Sequence, residues 1–264
     1  MARRPDNCGK CHLGPDHPQK EIYEESKHGI AFVTADQQGK MKLSEKPWVV
    51  GVTYNAAPTC ATCHLSATRT QPSSHDPGRR ITWTLRPAVS KRQENWKEKK
   101  RNMQSVCAAC HAPDWVAGFY AQYDRVVHLY NDKFGKPAGS IMEKLREAKL
   151  ITPTPFDDEI EWTYFFLWHH EGRRARMGAS MMAPDYTQWH GFFEIAERFY
   201  MELIPQAMEL AHGHQQVAAH ITDVMDMDQH RWTKGMSAEL KEKVRKFYKE
   251  RYGQEEGGGK ESGH

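Results

Sequence analysis

Three copies of one short pattern use all six cysteines of the chain. They occupy residues 8–12, 60–64 and 107–111, and each reads Cys-x-x-Cys-His. Two cysteines at this spacing can bond covalently to the vinyl groups of a haem, and the following histidine can bind the iron. The sequence therefore predicts three covalently attached c-type haems. The predicted attachment residues are Cys8, Cys11, Cys60, Cys63, Cys107 and Cys110, and the predicted proximal iron ligands are His12, His64 and His111.

Other uses of paired cysteines fit this sequence less well. Structural zinc usually joins two Cys-x-x-Cys units, or one such unit and a histidine pair, into one closed site, and three isolated motifs do not divide into such sets. A thioredoxin-like redox pair needs a single motif in a βαβ setting. A disulfide framework is typical of short secreted domains, and this chain has 264 residues. Haem attachment remains the best interpretation.

The composition agrees with a fold that packs around haem. Only 39% of the residues are hydrophobic and the mean hydropathy is −0.80, although the chain is long enough to bury a core. Porphyrin rings supply apolar volume, and the 8 Trp, 10 Tyr and 10 Phe suit packing against flat rings. A net charge of +3 is too small to indicate nucleic-acid binding. The most apolar run, residues 162–168, is too short for a transmembrane segment.

The periodicity predicts a mainly α-helical multihaem cytochrome with a long-helix domain at its C-terminal end. Proline punctuates the haem-binding part, and its two strand patterns, residues 48–52 and 81–85, are short. Helical spacing covers residues 119–134, 138–150, 157–176, 185–220 with a perturbation at Pro205, and 237–252. Residues 162–168 are apolar on all sides, which predicts burial. We expect a haem-binding part in residues 1–115, a helical part in 116–253 and a disordered tail in 254–264.

Electron-transfer haems usually take a second histidine as the distal iron ligand. His28 is the first candidate, because Gly29 beside it would let the backbone approach a ring closely. His75 follows, with Asp76 in position to orient its imidazole. For His17, a role in the turn before Pro18 is about as plausible as ligation. The weaker candidates are His169 and His170, one as a ligand and the other as a core residue.

Several stretches between and after the haem motifs resemble the C-terminal half of the octahaem hydroxylamine oxidoreductase family. The similarity extends from Cys8 to about Leu210. It includes residues 11–19 and 21–29, 57–64, 152–159, the His169-His170-Glu171-Gly172-Arg173 run with its continuation to 179, and residues 181–191. Members of that family carry eight haems, so the three motifs here would correspond to the last three.

The resemblance implies specific roles for two tyrosines. In that family the catalytic haem is crosslinked to a tyrosine from a neighbouring subunit of a trimer, and Tyr186 in Pro184-Asp185-Tyr186 matches this residue. Tyr54 would resemble a residue of the distal pocket. The implied chemistry is oxidation of hydroxylamine or hydrazine, with electrons passing through bis-histidine haems to an electron-acceptor cytochrome. The cysteines of the catalytic haem would lie on sequence upstream of Met1.

We therefore expect a fragment or subunit of a larger oxidoreductase that acts as a homotrimer or with a chain carrying the remaining haems. Haem c is attached after export, so a periplasmic or equivalent compartment is expected, with the signal peptide elsewhere. Two alternatives stay open. One is a stand-alone three-haem electron carrier without a substrate, and the other is part of a relative that reduces nitrite.

Overall fold

Helices dominate the computed structural model, which describes residues 2–41, 43–44 and 46–252. The two predicted strand patterns form only isolated bridges in these residues, which include Val49 with Ala67 and Trp83 with Arg92. The haem-binding part contains short helices separated by loops. They are α1 (Pro5–Gly9), α2 (Gln19–Glu25), α3 (Lys27–Gln37), α4 (Cys60–Leu65) and α5 (Trp96–Cys107), with a 3₁₀ turn at Pro77–Arg80 between α4 and α5.

The helical part contains longer, nearly continuous runs. The helices are α6 (Pro113–Tyr130), α7 (Lys136–Glu147), α8 (Glu159–Phe165), α9 (Gly172–Ser180), α10 (Pro184–Thr187), α11 (Glu194–Glu197), α12 (Ile204–Leu210), α13 (Gln215–Asp226) and α14 (Ala238–Tyr252). Segments of π-helix join several of them without a break at Asn131–Gly135, Phe166–Glu171, Gln188–Phe193 and Arg198–Leu203. The mainly α-helical prediction is confirmed. The predicted interruption near Pro153 and Pro155 is also present, since no helix covers residues 148–158.

Helix α9 links the two predicted parts, because it packs against α2, α6 and α10. Two arginines of α9 fix this arrangement. Arg176 is fully buried and donates to the carbonyl of Pro87 at 3.0 Å and to Ser90 Oγ at 2.5 Å. Arg173 donates to the carbonyl of Arg86 at 2.8 Å. Buried arginine is stable only when its N–H groups find acceptors, and these carbonyls supply them.

The expectation that residues 162–168 are buried is wrong for most of the run, since only Thr163 and Leu167 are buried, four residues are half-buried and Trp162 is exposed. Leu167 is fully buried, whereas 44% of the Trp162 side chain is exposed. Trp162 packs against Phe156, with ring centres 4.7 Å apart, and donates its indole N–H to the Phe156 carbonyl at 3.0 Å. The loop before α8 thus covers one side of this ring and leaves the other side in solvent.

The chain divides into two compact units, Met1–Ile221 and Thr222–His264. The boundaries predicted near residues 115 and 253 stay predictions, and the predicted tail at 254–264 lies outside the described residues. No helix among the described residues is long and apolar enough to span a bilayer.

Candidate haem centres and the Tyr186 region

The three Cys-x-x-Cys-His motifs meet in one region, with the middle motif between the others. Helix α4, which begins at Cys60, packs against both α1 and α5. The thiols of Cys8 and Cys60, and those of Cys63 and Cys107, are close enough for their charges to interact. The middle motif therefore lies between the outer two, so that the three haem centres form one array.

The start of α4 is set by local sequence. Thr59 caps the helix and forms a reciprocal capping box with Thr62, so the helix begins at Cys60. This places Cys60, Cys63 and His64 within the first turns of one helix.

All six thiols are free in the described structure, as haem attachment requires. Cys11 and Cys110 are exposed, whereas both cysteines of the middle motif are half-buried. Burial raises the pKa of Cys60 and of Cys63 to about 12, so both are neutral thiols rather than reactive thiolates.

The histidines offer a second test of whether haem fits. Burial lowers the pKa of His64, which keeps its imidazole in the neutral form that binds metals. The Nδ1 atoms of His64, His169 and His170 are buried without a hydrogen-bond partner among the described residues. Unpaired buried nitrogens are costly, and a bound group in their vicinity would relieve that cost. The residues present fit haem c.

The structure brings His28 next to His111, although 82 residues separate them in sequence. Their ring centres are 5.9 Å apart and the rings are inclined by 46°. Two imidazoles that bind one metal ion from opposite sides through bonds of about 2 Å have ring centres roughly 6 Å apart. Burial, and secondarily His111, lowers the pKa of His28 and favours the neutral ligand form. His28 and His111 thus have the spacing of an axial pair.

Gly29, beside His28, has a structural role at the start of α3. A Cβ atom on Gly29 would lie 1.9 Å from the backbone oxygen of Tyr23, so glycine is needed for α3 to turn tightly against α2. The Gly29 amide also donates to Ser26 Oγ at 3.1 Å, which caps α3. Gly29 thus positions His28 through the helix start, and its role in the close approach of a ring stays a prediction.

The other distal candidates occupy different surroundings. The two ring nitrogens of His17 lie close to acceptors, Nδ1 at 2.5 Å from Asp16 Oδ1 and Nε2 at 3.0 Å from the Cys11 carbonyl oxygen. That arrangement suits the turn role. His75 is exposed, and Asp76 caps the following 3₁₀ turn through Gly78 at 2.8 Å instead of orienting the His75 ring.

His169 and His170 lie in the π-helical segment Phe166–Glu171. Asp16, beside the first haem motif, accepts a hydrogen bond from Arg173 at 2.6 Å and lies 3.7 Å from His169 Nε2. Burial lowers the pKa of His169 to about 4, and Arg173 contributes in the same direction. His169 is thus a neutral imidazole beside the first motif, and π-helical segments often occur at functional sites.

The phenol of Tyr54 is buried beside the middle motif. Its hydroxyl donates to the carbonyl of Ala57 at 2.7 Å, and burial raises its pKa to about 12. The hydroxyl therefore holds the loop that precedes Thr59. Its resemblance-based role in a distal pocket stays a prediction.

Tyr186 lies in α10 and is half-buried against Ile22, Met177 and Ala183. Two glycines allow this segment to pack closely on α9. A Cβ atom on Gly178 would lie 2.8 Å from the Thr187 amide nitrogen, and one on Gly191 would lie 2.6 Å from the Tyr186 carbonyl oxygen. The backbone that carries Tyr186 is thus tightly held.

Acidic and basic groups surround Tyr186. Its ring centre is 5.3 Å from that of His190, whose Nε2 lies 3.6 Å from Asp185 Oδ2. Burial raises the pKa of Glu25, and the nearby charge of Asp185 raises it further. Burial and the charge of Glu25 also raise the pKa of the Tyr186 phenol, which keeps its proton.

Residues 1–155 match the family model described as "Seven times multi-haem cytochrome CxxCH". The chain belongs to this family. This multihaem cytochrome therefore carries covalently attached haem c, and its basic function is electron transfer.

Other comparisons connect this multihaem cytochrome with hydroxylamine oxidoreductase-like proteins, as the sequence resemblance predicted. It is 26% identical over 180 residues to a probable nitrite reductase–hydroxylamine oxidoreductase fusion protein of Kuenenia stuttgartiensis, a match that covers 58% of this chain and 21% of the relative. Its fold is similar to that of a hypothetical multihaem protein, with a TM-score of 0.69 and 18% identity over 80% of this chain and 56% of the other.

A second similar structure is the "reducing HAO-like protein complex" of Kuenenia stuttgartiensis. The TM-score is 0.65 at 18% identity, over 81% of this chain and 57% of that one. At such identities the two solved structures support the fold alone. This multihaem cytochrome spans about a fifth of the curated relative and just over half of each solved chain.

If His28 is a distal ligand, replacing it should change the reduction potential of one haem alone. A His28→Met variant should raise one of the three reduction potentials, because methionine in place of an axial histidine raises haem potentials. A potentiometric titration followed by visible absorbance measures this. His212→Met, a change at an exposed histidine, is the control and should leave all three potentials unchanged. Three unaltered potentials in His28→Met would remove His28 from the ligand set.

Proposed function

We propose that this chain is the electron-relay portion of a hydroxylamine oxidoreductase-like enzyme and supplies Tyr186 to a catalytic haem held by a neighbouring chain. The bound haems would supply one-electron transfer. In this proposal the His28 and His111 pair leaves no open position for substrate at the third centre, so oxidation of hydroxylamine or hydrazine takes place elsewhere in the assembly.

The hydroxyl of Tyr186 carries this proposal. The hydroxyls of Tyr23, Tyr54 and Tyr130 each donate to a backbone carbonyl, of Pro58, Ala57 and Ala88 respectively. The Tyr186 hydroxyl makes no such bond with any described residue, although the backbone around it is tightly held. A rigidly positioned phenol without an internal partner is suited to bond to a group from outside the chain.

The charged groups beside Tyr186 support an oxidative role. Oxidation of a neutral N–H compound releases protons with its electrons, so a base near the reacting group assists the reaction. The carboxyl pair Glu25 and Asp185 can hold and pass on such a proton, because burial and the nearby charge of Asp185 raise the pKa of Glu25.

The proposal also concerns assembly and location. Tyr186 can act on another chain's haem only in an oligomer, either a homotrimer or a complex with a chain that carries the remaining haems. Covalent haem attachment favours an exported compartment such as the periplasm. An acceptor cytochrome would take up the electrons.

A second candidate is a nitrite-reducing role. One similar structure is named a reducing complex, and the curated relative's name includes nitrite reductase. The Pro184-Asp185-Tyr186 sequence favours oxidation in our proposal, because the crosslinking tyrosine belongs to the oxidative branch of the family that this chain resembles.

Redox assays on the purified assembly distinguish the oxidation of hydroxylamine or hydrazine from the reduction of nitrite. Added to the oxidised assembly, hydroxylamine or hydrazine should reduce the haems, as seen by visible absorbance. Nitrite added to the dithionite-reduced assembly should reoxidise them slowly or not at all. Fast reoxidation by nitrite without any reduction by hydroxylamine would overturn the oxidative assignment and favour the reducing one.

A further inference from the structure

A patch of basic side chains lies beside the third haem motif. It is formed by three separate segments, and we call it the α5 basic patch. Its members are Arg69, Arg79, Lys97, Lys99 and Arg101. All are exposed except Lys99, which is half-exposed. Residues 91–101 alone contain six basic and two acidic side chains, so this surface is positive although the whole chain is nearly neutral.

Hydrogen bonds hold the three segments together. The side chain of Gln71 donates to Ser105 Oγ at 2.9 Å, which fixes the loop of Arg69 against α5. The side chain of Asn102 donates to the carbonyl of Arg79 at 3.2 Å, which fixes the 3₁₀ turn against the same helix. The patch is therefore a defined feature of the fold.

The cations of the patch are not ion-paired within the described part of the chain. None of the five forms an ion pair with another described residue. On the packed side of α5 the situation differs, since Asp124 binds Arg92 at 2.9 Å and Lys100 at 3.4 Å. Basic residues needed to stabilise this helix are thus paired, and those of the patch are left to attract an external anion.

The patch leads directly to the third haem motif. Helix α5 runs from the patch to the third motif, since it ends at Cys107 and Arg101 precedes Cys107 by roughly 9 Å of helix axis. Cys110 is exposed. On the other side of the motif, Trp115 is 46% exposed and stacks on His111 with ring centres 4.2 Å apart. The third motif is thus one of the two outer motifs that reach the solvent, and it is the one next to the basic patch.

We propose that the α5 basic patch is the docking surface for an acidic electron-acceptor protein, which takes electrons at the third haem centre. This inference rests on the relay part of the proposed function and does not depend on Tyr186. In each step one ferrous haem loses one electron and becomes ferric, and one oxidised acceptor gains that electron. Charge complementarity favours an acidic partner, since opposite charges steer association and like charges oppose it.

Stopped-flow measurements with two small one-electron oxidants test this docking surface. The rate at which each oxidant reoxidises the haems of the dithionite-reduced holo-chain is measured. Hexacyanoferrate(III) represents the anionic acceptor, and hexaammineruthenium(III) is the cationic counter-probe. The test variant is Lys97→Gln/Lys99→Gln/Arg101→Gln. The matched control, Lys241→Gln/Lys243→Gln/Lys246→Gln, removes three exposed charges from α14. Equilibrium dialysis with redox-inert hexacyanochromate(III) measures anion binding apart from electron transfer.

At low ionic strength the patch variant should react with hexacyanoferrate(III) about three- to tenfold more slowly than the wild type, and the difference should vanish at high salt. It should bind less hexacyanochromate(III) and react no more slowly with hexaammineruthenium(III).

Three other outcomes are possible. If the control variant slows the reaction with hexacyanoferrate(III) as much as the patch variant does, net charge alone matters. Slowing with both probes would mean that the patch neutralises haem propionates. Binding of anionic lipid vesicles by the patch, with unchanged rates, would indicate a membrane surface. Each of these results would overturn the proposal, and none of them bears on Tyr186.

Discussion

A Tyr186→Phe variant should keep three attached haems and lose any covalent bond to a neighbouring chain's haem. Phenylalanine retains the packing against Met177 and Ala183 but has no oxygen to form the crosslink. We expect the free energy of unfolding to change by no more than about 0.5 kcal/mol, since the hydroxyl has no partner within the described chain. Hydroxylamine oxidation by the assembly should fall by roughly 10²-fold, the scale of removing one group at a reacting centre.

Tyr23→Phe is the matched control. It removes a hydroxyl that donates to the Pro58 carbonyl at 2.9 Å, so it should cost about 1 kcal/mol of stability without changing covalent mass or substrate oxidation. Mass spectrometry of the denatured chains, together with the activity assay, gives both readouts. Loss of attached haem in Tyr186→Phe would show that the role assigned to Tyr186 is wrong.

Removing the middle haem should have a larger effect on stability than removing an outer one. A Cys60→Ser/Cys63→Ser variant should lose the mass of one haem and lose at least the roughly 3–5 kcal/mol that emptying a buried aromatic site costs. The reason is its position, since α4 packs against both α1 and α5 and its cysteines are half-buried. Urea denaturation followed by circular dichroism measures the change.

The comparison variant is Cys8→Ser/Cys11→Ser, which removes the haem of an outer motif whose second cysteine is exposed. It should also lose one haem by mass, but with a smaller loss of stability. In the Cys60→Ser/Cys63→Ser variant, electron exchange between the two remaining haem centres should slow as well, because the haem between them is missing. Equal stability losses in the two variants would contradict the central position of the second motif.

Local patterns were enough to predict the haem chemistry and the helices. The attachment motif occupies five consecutive residues, so it can be read without tertiary information. Acidic residues in the first turn and the apolar stretch that follows indicate the helix predicted at residues 157–176, which the structure places at residues 159–180. Its π-helical segment was not predicted, because one extra residue in a turn leaves no simple periodic mark.

Contacts between distant segments could not be read from the sequence. His28 and His111 come together only through the packing of α3 beside the third motif, and nothing in either local sequence indicates the other. Arg173 and Arg176 lie at the end of the helix predicted at residues 157–176. Nothing in the local sequence indicates that they are buried and bind carbonyls about 90 residues away.

The mass of the chain, purified from its native assembly under denaturing and reducing conditions, tests the central claim most directly. We predict 30.5 kDa plus three haems, and further covalent mass on a peptide that contains Tyr186. That result would establish that the chain both carries a relay and closes a catalytic haem of its neighbour. A mass of the chain plus three haems alone would contradict this account and identify a three-haem electron carrier.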